Sequence, residues 1–159
     1  MDFRFATEKD CALILEFIRL LARYEKMTDQ VTATEEMLRE WIFNKRQAEV
    51  LFALEDGKEA GFALFFHNFS TFLGRSGLYL EDLFVLPEYR GKGLGKALLG
   101  KLAQIAVERG YGRMEWSCLD WNRPSIDFYL SMGATAMDEW TTYRLTGDSL
   151  RRMAEKAGS

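Results

Sequence analysis

Two acids, Glu81 and Asp82, stand side by side in a stretch (residues 78–85) that is otherwise Leu, Tyr, Phe and Val. Carboxylates in an apolar strand are costly unless they are paired or open onto a cleft. Set next to each other, they can hold a cation or take up a proton. Just beyond them Arg90, Gly93 and Gly95 follow the spacing R-x-x-G-x-G, with Gly91 and Lys92 inside it, and a helical pattern begins. Glycines let the backbone come close to a ligand and reach positive φ without a Cβ penalty. A helix start offers unpaired N–H groups and the positive end of its dipole, so an anion belongs there. Arg90 and Lys92 add charge that suits phosphate. The run is not a P-loop, which needs G-x-x-x-x-G-K followed by Ser or Thr, and it lacks the third spaced glycine of a dinucleotide fingerprint.

The elements that must position these groups can be read along the chain. Residues 2–6 alternate as a first strand with Phe3 and Phe5 inward. Thr7 and Asp10 have the spacing of a capping box, and Leu13, Phe17, Leu20, Leu21 and Tyr24 recur as the core stripe of a helix. Tyr24 and Glu25 then open a polar connection that reads as a solvated helix end. Thr32 and Glu35 suggest the cap of a second helix. Asp56-Gly57 between two apolar runs predicts a hairpin over residues 49–66. Residues 67–77 read as a loop carrying Phe69 and Phe72, and residues 78–85 as the organising strand. A helix over 93–108 follows, with Leu94, Ala97, Leu98, Leu102, Ile105 and Ala106 on its core side and Gly110 closing it. Residues 113–119 suggest a strand, and Pro124 suits the first turn of a short helix that ends at Gly133. Two more strands, 134–138 and 140–146, and a charged helix over 148–156 complete the expectation.

At 159 residues the chain reads as one domain, 1–159, large enough to bury about two-thirds of the surface its unfolded form exposes. Its 48% apolar and 14% aromatic content excludes disorder. A net charge of −3, with no basic block, argues against a nucleic-acid partner and is compatible with a cationic substrate. Cys11 and Cys118 are far apart, there is no C-x-x-C, and His67 is the lone histidine, so no metal is expected. No signal peptide and no membrane-length apolar run is present, which points to the cytoplasm and away from a membrane partner.

Leu83-Phe84-Val85 followed by Arg90-x-x-Gly93-x-Gly95 resembles the acetyl-CoA signature of the GNAT superfamily of N-acetyltransferases. The run from Asn122 through Arg123, Pro124, Ser125 and Ile126 to Tyr129 resembles that family's second motif. The resemblance implies an α/β fold: a mixed central sheet splayed between two central strands, with helices on both faces. It implies acetyl-CoA as co-substrate, held by Phe84, Val85, Arg90, Gly91, Lys92, Gly93, Leu94, Gly95, Lys96, Asn122 and Ser125. It also implies that the Tyr129 hydroxyl points at the coenzyme A sulfur. A phenol with pKa of about 10 can protonate a departing thiolate.

A narrower similarity, to the diamine acetyltransferases (the spermidine/spermine and thialysine branch), rests on Leu20 to Met27, on Tyr79 to Val85 and on Leu119-Asp120-Trp121-Asn122. It implies that Tyr24, Glu25, Glu81 and Asp82 line an acidic pocket for an aminoalkyl chain, with Glu81 as base, directly or through a water. A homodimer is implied as well. The chain departs from the branch at Asp138-Glu139-Trp140, where a glycine is missing, and over residues 67–77. His67 as base and Cys118 as an acetylated nucleophile are the other chemical readings. Acetylation of a protein or peptide, and a non-catalytic coenzyme A-binding module, are the other functional ones.

Overall fold

The structure is a computed structural model, and it describes residues 1–158. The backbone forms two compact units that meet in sequence at Ser117 and Cys118.

The first unit is built on a five-stranded sheet in the order β1-β2-β3-β4-β5. Its strands are β1 (Asp2–Phe5), β2 (Glu49–Glu55), β3 (Lys58–Ser70), β4 (Arg75–Val85) and β5 (Met114–Trp116). The first four pair antiparallel and the last pair is parallel, so the sheet is mixed. Helix α1 (Cys11–Tyr24) lays Ile14, Phe17 and Leu21 on one face, against Val50, Phe52, Phe62 and Phe84. Phe17 stacks on Phe62 with ring centres 5.0 Å apart. Fully burying each such side chain is worth about 1.5–3 kcal/mol. Alternation along the strands turns Leu51, Ala53 and Ala63 to the other face. Helix α3 (Leu94–Glu108) buries Leu94, Leu98, Leu102 and Ile105. Gly61 lets this layer close, because a Cβ there would stand 3.1 Å from the Phe84 carbonyl oxygen and 3.4 Å from Leu98.

Local signals in the sequence account for most element ends. Asp10 accepts a 2.7 Å hydrogen bond from the Thr7 backbone N–H, completing the capping box ahead of α1. Arg4 pairs with both Asp10 and Glu59 and lies over the Phe52 ring, so it ties β1, the entry to α1 and β3 together. Helix α3 closes with Gly110 at φ 74°, where the Tyr111 N–H bonds the Ala106 carbonyl and the Gly110 N–H bonds that of Val107.

Several expectations are corrected. Helix α2 (Glu35–Leu38) is capped by Thr34, whose hydroxyl accepts from the Met37 N–H, rather than by Thr32, and it continues as a π-helical turn over Arg39–Asn44. Residues 67–77 are not one loop. Asn68 pairs with Gly77 and Ser70 with Arg75, so β3 and β4 extend to a tight turn that uses Gly74 at φ 70°. The expected strand over 113–119 is shorter, spanning Met114–Trp116. Phe5, expected inward, is exposed at the end of the edge strand β1.

The second unit holds α4 (Arg123–Ser131) and α5 (Gly147–Ala157). The strands expected at 134–138 and 140–146 are absent among the described residues. Thr, Tyr and Trp favour strands only where a ladder partner and a covering face exist. Here Trp140 and Tyr143 are exposed and no neighbouring strand supplies the ladder. No helix among the described residues is long and apolar enough to cross a membrane.

Candidate functional site

The sheet opens beside the paired acids. Among the described residues, strand β4 pairs with β5 through Leu78, Tyr79 and Leu80, opposite Met114, Glu115 and Trp116, and then runs on to Val85 paired with β3 alone. At the point of separation β4 also carries a bulge against β3. Leu64 stands opposite Asp82 and Phe65 opposite Leu80, leaving Glu81 as the extra residue. The splay therefore begins where the acids are. From there to Val85, β4 has no ladder partner on the β5 side among the described residues.

Glu81 is exposed, whereas Asp82 and Glu25 are half-buried. Burial, then Glu81, then Glu25 push the Asp82 carboxyl up to about 7. The Glu25 carboxyl is also raised, by burial first and by Glu81 second. Two residues far apart in sequence thus join one acidic cluster: Glu25 follows the last residue of α1, and Asp82 lies on the strand that α1 packs against. Each of these causes disfavours the ionised form of Asp82, and a cation placed beside the cluster would favour it. The adjacent acids marked this place in the sequence. The difference between an exposed Glu81 and a half-buried Asp82 accompanies the bulge, which no local signal announced.

Beyond β4, a short turn over Pro87–Tyr89 leads to the glycines. Gly91 and Gly93 have φ of 79° and 81°, and Gly93 is the N-cap of α3. A Cβ built on either meets nothing within 4 Å, so both are demanded by backbone conformation and face open space. The first intrahelical bond runs from the Ala97 N–H to the Gly93 carbonyl, which leaves the N–H groups of Leu94, Gly95 and Lys96 at the open helix end. A Cβ on Gly95 would come 3.9 Å from Leu83 and 4.0 Å from Val85, which is ordinary contact. Lys92 reaches over the Tyr89 ring, 5.6 Å from its centre. Consecutive backbone donors, a helix dipole and flanking cations are groups whose chemistry suits an anion.

Arg90 is more constrained than its place in an exposed turn suggests. Its Nε donates to the Val85 carbonyl at 3.0 Å. Its guanidinium carbon lies 5.2 Å from the Tyr24 ring centre and 5.1 Å from that of Phe84. Those rings meet edge-on at 6.3 Å. Sequence reading assigned Tyr24 to the amine side and did not connect it with Arg90.

In the second unit, Asn122 is the N-cap of α4 and its carbonyl accepts from the Ile126 N–H at 3.1 Å. Pro124 lies in the first turn, and Tyr129 lies near the end of the helix with its ring 5.8 Å from that of Phe128. Ser125 is in the first turn of the same helix. Cys118 lies beyond the end of β5, and its thiol is 3.5 Å from the Leu119 carbonyl. His67 is exposed on β3, paired with Leu78. Among the described residues no group of three His, Cys, Asp or Glu side chains is placed to hold a metal ion.

Comparison with known proteins agrees with this architecture. The model of the acetyltransferase (GNAT) family matches residues 14–134. A thialysine N-epsilon-acetyltransferase from Bos taurus is 38% identical, with 96% of each chain covered. An L-ornithine N5-acetyltransferase from Arabidopsis thaliana is 36% identical, covering 93% of this chain and 85% of that one. Among solved structures, an integron cassette protein from the mobile metagenome of V. cholerae superposes with a TM-score of 0.80 at 30% identity over 97% of both chains. The mixed α/β architecture of a five-stranded sheet with helices matches that structural neighbour. The chain belongs to the GNAT acetyltransferase family and is an N-acetyltransferase similar to the diamine branch of that family.

Proposed function

We propose that this enzyme transfers acetyl from acetyl-CoA to a primary amine of a small polyamine, diamine or lysine-like (thialysine) substrate, by direct attack in a ternary complex. The observation that carries this reading is the acidic cluster of Glu25, Glu81 and Asp82 at the mouth of the splay, where the charged neighbours that shift Asp82 are themselves carboxylates. A cationic aminoalkyl chain would relieve that repulsion. The thialysine and ornithine acetyltransferases similar to this chain are named for substrates of that class.

Acetyl-CoA supplies the activated acetyl group. Gly91, Lys92, Gly93, Leu94, Gly95 and Lys96 would hold its phosphates through backbone N–H groups and charge, with Arg90 beside them. The open edge of β4 at Phe84 and Val85 would take the extended arm, and Asn122 and Ser125 would complete the contacts. The open helix end and the glycines at positive φ support this assignment. In the transfer, the amine nitrogen bonds the acetyl carbon and the carbon–sulfur bond breaks. Glu81, directly or through a water, accepts the ammonium proton before attack; the Tyr129 hydroxyl gives its proton to the departing sulfur, and the phenolate is restored by the second proton that the nitrogen loses on becoming an amide. Orienting both partners in the splay supplies much of the rate, and a backbone N–H at the acetyl oxygen adds to it.

We take residues 1–159 as one catalytic domain, supported by a family match that runs through the division at Ser117.

The test of the function is an amine screen read by release of free thiol. Diamines, polyamines, thialysine and ornithine are expected to be turned over, and peptides with a free N-terminus or lysine are not. Turnover of peptides alone would move the reading to protein acetylation.

A homodimer is also proposed, with the C-terminal segment contributing. Trp140 and Tyr143 are exposed at 78% and 91%, on a stretch rich in strand-forming residues that has no ladder among the described residues. Light scattering at micromolar concentration is expected to give twice the chain mass, and a monomeric mass would count against the dimer.

A further inference from the structure

Arg90 opens the glycine turn, yet its guanidinium is held by groups outside that turn. The Val85 carbonyl takes its Nε at 3.0 Å, and the Phe84 ring lies under it from the same strand. The remaining contact, the Tyr24 ring at 5.2 Å, comes from the last residue of α1. Tyr24 and Phe84 themselves meet edge-on, so ring, ring and cation form a closed triangle with sides of 5.1, 5.2 and 6.3 Å. The triangle joins two places that the proposed function treats separately. Glu25, in the acidic cluster, follows Tyr24 directly, and Gly91, with its obligatory positive φ, follows Arg90 directly.

We propose that Tyr24 is a positioning residue for the cofactor turn: its ring fixes Arg90 and so presets the backbone N–H groups that receive phosphate. This deepens the acetyl-CoA reading above and rests on it. Preset donors need no ordering when the anion arrives, so the ring's contribution should appear in cofactor affinity before any amine is present. Gly91 and Gly93 in this turn, followed by Gly95 in the first turn of α3, carry no side chain that restrains the backbone. A cation fixed over two aromatic faces is a direct way to restrain it.

The experiment is calorimetric titration of the enzyme with coenzyme A, with no amine in the cell. Replacing the ring by an aliphatic chain, Tyr24→Leu, is expected to weaken binding about three- to tenfold, as loss of one partly exposed cation–π contact implies. Tyr24→Phe, which keeps the ring and drops only the hydroxyl, should bind within about twofold of the wild type, and Tyr24→Trp should bind at least as well, since indole is the strongest cation–π face. In an Arg90→Leu background the Tyr24→Leu change should weaken binding no further, because the cation it acts through is gone. That non-additivity separates positioning from general support of the fold, which would weaken both backgrounds alike. Tyr24 is 41% exposed, so its variants are expected to fold, and Tyr24→Gln replaces Tyr24→Leu should that variant be unstable. Wild-type affinity in the folded Leu or Gln variant, or an equal loss in both backgrounds, overturns the proposal while leaving the acetyl-CoA reading intact. A wild-type enzyme that does not bind coenzyme A overturns both.

Discussion

In a single turnover, Tyr129→Phe is expected to transfer acetyl roughly 10²–10⁴ times more slowly than the wild type, the usual range for a positioned proton donor. Only the hydroxyl distinguishes the two side chains. The ring is in contact with Phe128 on α4, and a Phe in its place keeps nearly all of that volume, so the helix should be undisturbed. The proposed proton matters most when negative charge grows on the leaving sulfur. The loss should therefore appear in the chemical step and leave acetyl-CoA affinity almost unchanged. Steady-state rates can be limited by product release, which makes rapid mixing of enzyme with a limiting amount of acetyl-CoA the right measurement. A variant that acetylates at the wild-type single-turnover rate would remove Tyr129 from the chemistry and leave it as a packing residue.

How far the sequence carried these assignments depends on how local their causes are. The capping box at Thr7 and Asp10, the apolar stripe of α3 and its glycine stop at Gly110 all rest on residues within a few positions of one another, and each forms as the spacing predicts. The glycine turn is equally local: the positive φ at Gly91 and Gly93 follows from side chains that are missing. What escaped depends on partners distant in the chain. The β3–β4 ladder reaches Ser70 and Arg75 because each strand gives the other a register, although residues 67–77 taken alone carry polar and turn-forming side chains. The reverse holds at 134–146, where strand-forming side chains find no ladder among the described residues and form no strand. At the site the pattern repeats. Glu81 and Asp82 are visible as neighbours, and the resemblance to the diamine branch adds Glu25 to them, but the physical cause of that meeting, the packing of α1 on the sheet, is not local. Arg90 meets Tyr24 across the same gap.

The acidic cluster yields the prediction with the richest pH signature. Glu81→Gln keeps the shape of the side chain and removes its basicity. A substrate ammonium with pKa of about 10 is almost wholly protonated at neutral pH and must lose its proton before nitrogen can attack. Without an acceptor, the variant must wait for amine already deprotonated in solution, a fraction that grows about tenfold per pH unit below that pKa. The rate should therefore fall by roughly 10²–10⁴ near pH 6–7, and the deficit should shrink steadily toward pH 9–10. A second signature comes from Asp82. Its carboxyl is held up to about 7 by burial, then by Glu81, then by Glu25, so removing the Glu81 charge lowers it. In the wild type the affinity for a protonated diamine should rise as pH climbs through about 7 and Asp82 ionises. In Glu81→Gln that rise should move to lower pH. Stability of the unliganded fold carries the same sign: an acid raised by folding stabilises below its unfolded pKa of about 4, and that contribution is lost as pH climbs through the folded value. Melting temperature should accordingly drift down between about pH 4 and 7 in the wild type, and less so in the variant. The decisive result is the shape of the rate profile. A deficit of equal size at every pH would assign Glu81 to binding or positioning and transfer the proton-accepting role away from it.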